Sequence, residues 1–217
     1  MDRRSFIRSS LSVAIAASLP GAHALARSLL HTPTSVPADI DAITADGAEI
    51  TLPRAAVQEL SDSLKGRLLL PGGEAYDQAR WLLQPQYDKY PAFVVQPTGA
   101  ADVQNAVTFA RENNLLLAVK CGGHSAAGKS SCDKGMQIDL SQLRNARVDR
   151  AAKTARIAGG SLLGGLDHEA MAHGVVTTAG SGSHTGVGGW ARGGGGGGLG
   201  GRWGGAGGTG LGGGGGG

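Results

Sequence analysis

The residues of this chain best placed to do chemistry are Lys120-Cys121-Gly122-Gly123-His124-Ser125, with Gly128 just beyond. Two adjacent glycines stand between an apolar run and a lone imidazole. Glycine lets the backbone take a positive φ and approach a bulky ligand with no Cβ in the way. Successive unpaired N–H groups in such a loop form a concave nest for an anion. A histidine at the end of the nest lies beside whatever anion is gripped. The chemistry implied is capture of a phosphate-bearing cofactor, with His124 either hydrogen-bonded to it or joined to it covalently.

A second loop, Ala179–Gly189, carries Ser181, Ser183, His184 and Thr185 among closely spaced glycines and ends Gly186-Val187-Gly188-Gly189. Hydroxyls and glycine N–H groups at this density again suit an oxygen-rich anion. No Gly-Lys-Ser/Thr closes the loop, so it is not a P-loop. The first loop lacks Gly-x-Gly-x-x-Gly between strand and helix, so the Rossmann fingerprint is absent. Two separate loops on one long ligand imply a dinucleotide held by a different fold. His184 is open between cofactor contact and a solvent-facing or structural role. His168 and His173 fall on a helix as surface or packing residues, and no metal is expected.

The elements that must position these loops are legible from Tyr90 onward. Phe93-Val94-Val95 is a short apolar strand, and Thr98 is placed to cap the helix after it. Val103, Ala106, Val107 and Ala110 make a helical stripe at i, i+3, i+4 and i+7. Leu115–Val119 is a strand that delivers the chain into the first loop. Met136–Leu140 is another, with Asp139 at its end. Arg147–Asp149 and Lys153–Ile157 read as a hairpin. Ser161 is placed to cap a helix with Leu162, Leu166, Ala170 and His173 on one face, and Gly174 closes it as a left-handed C-cap. Val175–Thr178 reads as a last strand, leading into the second loop. Before Tyr90 the pattern is weaker: a helix over 52–65, a turn at Pro71-Gly72-Gly73, and a face formed by Tyr76, Ala79, Arg80 and Leu83. The sum predicts an α+β domain with helices packed on small mixed sheets.

The two ends are of another kind. Arg3-Arg4, the mildly apolar run Leu11–Leu19 and the small-x-small site Ala24-Leu25-Ala26 form an export leader of the twin-arginine type over residues 1–26. The run is too short to span a bilayer. The leader holds three arginines against one aspartate, so the net charge of +3 falls to +1 without it. The basic balance therefore belongs to the leader and is no sign of nucleic-acid binding. From Gly193 the chain is mostly glycine, broken by Leu199, Arg202, Trp203, Ala206, Thr209 and Leu211. It reads either as a flexible low-complexity tail or as a damaged copy of a structured segment. Cys121 and Cys132 are too few for a disulfide framework; one bridge between them is weighed against two free thiols.

The text from about Tyr87 to Gly189 resembles the FAD-binding domain of the vanillyl-alcohol oxidase superfamily, the PCMH-type domain. It is most similar to berberine-bridge-enzyme-like FAD-linked oxidases. The resemblance is carried by Pro91–Pro97, Asp102-Val103, Phe109-Ala110-Arg111, Gly122–Ser125, Ile138–Ser141, Gly174 and Thr185–Gly189, with Tyr76–Arg80 ahead of them. It implies that Lys120–Ser125 surround the FAD diphosphate. It further implies that His124 is joined to the 8α-methyl of the flavin. Relatives that attach the flavin twice use a cysteine where this chain has Gly182, so attachment through His124 alone is implied. Ser181, Ser183 and His184 are then expected to touch the flavin or its ribityl chain without bonding. The fragments Gly193–Gly195, Leu199, Arg202 and Trp203-Gly204 keep the frame of the family's continuing text. The tail 193–217 is therefore expected to be degraded or artefactual sequence, with a substrate domain beyond it.

The expected organisation is a leader (1–26), a lead-in segment (27–86), the first part of the FAD-binding domain (87–192) and the glycine tail. The expected function is that of an exported, periplasmic or secreted FAD-dependent oxidoreductase that takes hydride from an alcohol, sugar or amine. Its expected partners are a small-molecule substrate and the twin-arginine export machinery, with neither nucleic acid nor a stable membrane span. The competing readings are a non-catalytic FAD-binding remnant and a non-covalent flavin reductase of the same domain type. No catalytic base can be named in this text.

Overall fold

The strand Phe93–Gln96 is buried along its whole length, and the rest of the fold is arranged around it. Its run Phe-Val-Val is what a strand covered on both faces requires. A computed structural model of the chain describes residues 33–193 and 195. The chain divides at Pro33, and the elements of the described residues lie in the unit from Thr34. In chain order these are β1 (Ile40–Ile43), β2 (Glu49–Leu52), α1 (Arg54–Ser63), β3 (Arg67–Leu69), α2 (Glu74–Arg80), β4 (Phe93–Gln96), α3 (Ala100–Glu112), β5 (Leu117–Lys120), β6 (Met136–Asp139), β7 (Ala146–Asp149), β8 (Thr154–Ile157), α4 (Leu163–Ala172) and α5 (Val187–Arg192).

The main sheet has the order β3-β4-β6-β5. Strands β4, β6 and β5 are parallel, and β3 is an antiparallel edge. Parallel neighbours need a crossover rather than a hairpin, and α3 carries the chain from β4 towards β5. Strands β1 and β2 form one hairpin and β7 and β8 another. The core joins Val36, Leu52, Val57 and Leu60 to Phe93, Ala106 and Ile138, with Phe93 edge-on to Phe109 at 6.2 Å between centroids. The stretch 27–86 thus supplies, from Thr34, strands and helices to the same core as β4. Among the described residues no helix is long and apolar enough to cross a membrane. The leader and nearly all of the glycine tail lie outside the described residues.

Several local expectations are corrected. Thr98 does not cap α3; its own N–H and hydroxyl donate to Asp102 Oδ2 at 2.9 and 3.1 Å. Asp102 also accepts from the N–H groups of Lys65 and Gly66, each at 2.9 Å, and so ties the loop before β3 to the first turn of α3. Ser161 does not cap α4, whose N-cap is Leu162. Its hydroxyl instead accepts from and donates to the backbone of Asn145 at 3.0 Å. Val107 and His173 are exposed, because the buried faces are Asp102, Ala106 and Ala110 on α3 and Leu163, Leu166 and Ala170 on α4. Val175–Thr178 forms no strand: no neighbouring strand among the described residues offers a ladder, and Val176 is 79% exposed. Gly174 does close α4, at φ 67°. Both cysteines are free, and burial pushes the Cys132 thiol up to about 11.

Asp102 gives the fold its clearest pH signature. Burial alone raises its carboxyl, but the Thr98, Lys65 and Gly66 amides and the Thr98 hydroxyl outweigh that and hold it below its ordinary value. A depressed carboxyl contributes stability that is complete above the unfolded-state pKa, about 3.9, and is lost as pH falls towards the folded value. Asp102→Ala, which strands buried N–H donors, is expected to cost about 2–3 kcal/mol at neutral pH. Urea denaturation is the measurement. The gap between wild type and Asp102→Ala should narrow as pH drops below about 4.

Candidate functional site

The three parallel strands end together. Lys120 of β5 is the register partner of Asp139 of β6, and Gln96 closes β4 beside them. Gln96 Nε2 donates to Asp139 Oδ2 at 2.8 Å, and Ser141 donates to the same carboxylate through its N–H and hydroxyl at 3.1 and 2.9 Å. Arg67 holds the other end of the Gln96 amide at 2.9 Å. This polar edge borders a cleft of about 270 Å³ whose walls include Trp81, Lys120, Gly122 and Arg144. The carboxyl ends of parallel strands are where open α/β sheets place ligands.

Lys120 is buried, and its ammonium donates to the carbonyls of Ala79 (2.6 Å) and Gln78 (3.3 Å) at the end of α2. Burial lowers its pKa, and the Asp139 charge works against that shift. Its side chain is therefore engaged by α2 rather than left free for an anion, and its share in the loop is made through the backbone. Cys121 is half-buried, and its thiol donates to Gly159 O at 2.7 Å.

From there the backbone turns outward. Gly123 has φ 73° and its carbonyl accepts from Leu83 N–H at 3.0 Å. Among the described residues, the N–H groups of Gly122, Gly123, His124 and Ser125 donate to no acceptor. Four consecutive unspent donors around a positive-φ glycine are the nest an anion requires. His124 lies half-buried at its far side, and its imidazole makes no hydrogen bond to another described residue. Ser125 folds the loop back: its hydroxyl accepts from Lys129 N–H at 2.9 Å and its carbonyl from Gly128 N–H at 3.1 Å.

The second loop is brought against the first. A Cβ on Gly122 would lie 2.5 Å from Gly186 N and 2.9 Å from His184 O. A Cβ on Gly186 would lie 2.4 Å from Gly122 N and 2.5 Å from Cys121 Sγ. The two backbones touch there because neither residue has a side chain. The carbonyls of Ser183 and Thr185 accept from the first-turn amides of α4, Gly164 and Leu163, each at 2.9 Å. That helix terminus is thus spent on the loop. Val187 is buried and anchored by Ser161 O at 2.8 Å, and Gly188 packs on Gly159 O. Ser181, Ser183, His184 and Gly189 are exposed. The structure thus brings Gly122, Cys121, His184 and Gly186 together. It leaves the hydroxyls of Ser181 and Ser183 on the outside of the second loop, where nothing described fixes them. The short helix α5, starting at Val187, is absent from the sequence reading, because Gly188-Gly189 argues against any helix.

An FAD diphosphate fits what is present: a nest of unpaired amides, a Cβ-free seam beside it and a free imidazole at its rim. Comparison with known proteins points the same way. Residues 91–213 match the FAD binding domain family. An FAD-linked oxidoreductase of Dictyostelium discoideum is 38% identical over 141 residues, which is 64% of this chain and 30% of that protein. The (R)-6-hydroxynicotine oxidase of Paenarthrobacter nicotinovorans is 30% identical over 126 residues, 58% of this chain and 27% of the oxidase. Among solved structures, wild-type BBE-like 1 of Physcomitrella patens superposes with a TM-score of 0.64 at 30% identity, covering 70% of this chain and 33% of the other. The chain thus spans about a third of the length of the proteins it matches. With that span, these loops and this sheet edge, the chain belongs to the FAD-binding domain family of the PCMH type, alongside the berberine-bridge-enzyme-like FAD-linked oxidases.

Proposed function

We propose that this chain is the FAD-holding part of an exported oxidoreductase that takes hydride from an alcohol, sugar or amine, with the flavin attached through His124. The observation that carries the proposal is the seam between Gly122 and Gly186, which sets two glycine loops side by side next to four unspent N–H groups. The matched proteins support the reaction class, since they are named as FAD-linked oxidoreductases and oxidases. FAD, when bound, supplies the two-electron acceptor. The chain's own part is to hold the diphosphate on the Gly122–Ser125 amides, to offer the His124 nitrogen to the ring, and to close the seam with backbone alone. The substrate and the base that takes its proton are proposed to be held outside the described residues.

The attachment is tested by colour. The full chain, loaded with FAD, should stay yellow after acid precipitation. His124→Ala should release all of the flavin to the supernatant, and a variant that keeps it in the pellet refutes the role of His124. The seam is tested by Gly122→Ala. The added methyl meets backbone, which cannot rotate away, and such overpacking costs about 1–3 kcal/mol. FAD affinity, read by quenching of flavin fluorescence, should fall about tenfold or more. Export is tested by replacing Arg3 and Arg4 with lysine. The protein should then stay in the cytoplasm, and undiminished export discards the twin-arginine reading.

A further inference from the structure

We infer that the segment Trp81–Tyr90 is a clasp over the first glycine loop, with Tyr87 and Lys89 as positioning residues for the His124 imidazole. The role given to His124 rests on the flavin reading above; the clasp itself does not.

The loop from Cys121 to Gly135 contains neither helix nor strand. A stretch of that length in a packed domain needs something to hold it. Its own bonds are few, and its amides from Gly122 to Ala127 are unspent. The segment after α2 supplies the missing contacts, one after another along the chain. Leu83 N–H donates to Gly123 O at 3.0 Å. Tyr87 lies flat against Gly128, where a Cβ would come within 2.4 Å of the ring. Gly128 also has φ 65°, so that position is closed to side chains twice over. Lys89 Nζ donates to Gly128 O at 3.0 Å and Ser131 O at 3.2 Å. Tyr90 N–H donates to Asp133 Oδ1 at 2.9 Å, and Lys134 N–H donates back to Tyr90 O at 2.8 Å.

His124 sits between the two clasp points at Gly123 and Gly128. The clasp is itself pinned at its C-terminal end by Arg80. That guanidinium donates to Asp77 at 2.8 Å, pairs with Asp88, donates to Lys89 O at 3.2 Å and lies 3.9 Å over the ring of Tyr90. Tyr76, one turn earlier, donates its hydroxyl to Pro91 O at 2.6 Å where the segment re-enters the sheet. Lys89 bonds to carbonyls through a full charge, and bonds of that kind are about twice as strong as neutral ones. The arrangement fixes the backbone on both sides of His124 before any ligand arrives.

The test needs no enzyme activity. In the FAD-free full chain, amide hydrogen exchange is measured at the hydrogen-bonded amides of the loop, Gly128, Lys129 and Lys134, with α3 as the internal reference. Lys89→Met and Tyr87→Ala should each speed exchange in the loop by about tenfold and leave α3 unchanged. Lys89→Arg, which keeps the donor, and Tyr87→Phe, which keeps the ring, should restore slow exchange. At saturating FAD, the same two disruptive variants should also slow the appearance of acid-stable flavin. Unchanged loop exchange in both disruptive variants overturns the clasp. So does exchange that rises equally in α3, since the segment is then part of the core rather than a positioning device. If wild type links no flavin, the His124 reading fails, while the exchange result still decides whether the clasp exists.

Discussion

The contact on which the site depends is the approach of Gly122 to Gly186 with no side chain between them. The two residues are far apart in sequence and belong to different parts of the fold. Gly122 follows the edge strand β5 of the main sheet. Gly186 lies in the loop that wraps the start of α4. Cys121 and Gly159 make a second contact beside the first, thiol to carbonyl. The place where the sheet meets the α4 region is therefore also the place where the two glycine loops meet. A side chain at Gly122 separates both at once, because the atoms opposing it are backbone and cannot swing aside.

The polar end of the sheet provides the fixed floor for this seam. Gln96, Lys120 and Asp139 are buried polar groups at the ends of three parallel strands. Polar groups placed there are costly unless each finds a partner, and each does: Asp139 takes Gln96 and Ser141, and Lys120 takes the last carbonyls of α2. The carboxyl end of a helix carries partial negative charge, which favours an ammonium. Lys120 thus braces α2 against β5, directly below Gly123. The same residue starts the nest, and its burial explains why the nest relies on amides rather than on a lysine side chain for its positive character.

Legibility in the sequence followed the range of the interaction. Elements with a local signature were visible: the Phe-Val-Val strand, the Ala106 and Ala110 stripe, the β7–β8 hairpin and the Gly174 cap. The glycine loops were visible for the same reason, since residue type alone announces them. Strands β1 to β3 were not. They are three or four residues long, too short for the alternation of Glu49-Ile50-Thr51-Leu52 to stand out; their partners mark them. Thr98 and Ser161 have the chemistry of caps but are claimed by Asp102 and Asn145, and Val175–Thr178 has the composition of a strand but no ladder to join among the described residues. Tyr87 and Lys89 carried no signal at all, because their meaning lies in a loop some forty residues away.

The unspent amides of Gly122–Ser125 have an energetic consequence. A buried donor without an acceptor costs about 1–3 kcal/mol; Gly122, His124 and Ser125 are partly buried, so their share of that penalty is met by solvent, while Gly123 is buried. Left to itself, such a loop would fold into local turns that use its own carbonyls. It is opposed in this because carbonyls of the loop are held from outside it: Gly123 O by Leu83, Gly128 O and Ser131 O by Lys89. Donors are left open by engaging the acceptors that would otherwise satisfy them. A ligand that supplies acceptors then gains from bonds the chain has kept vacant, and its binding stabilises the native state by mass action, about 2.7 kcal/mol at a hundredfold excess over Kd. The loop is thus the part of the fold with the most to gain from an anion, and the residues that make it so are the ones that hold its carbonyls.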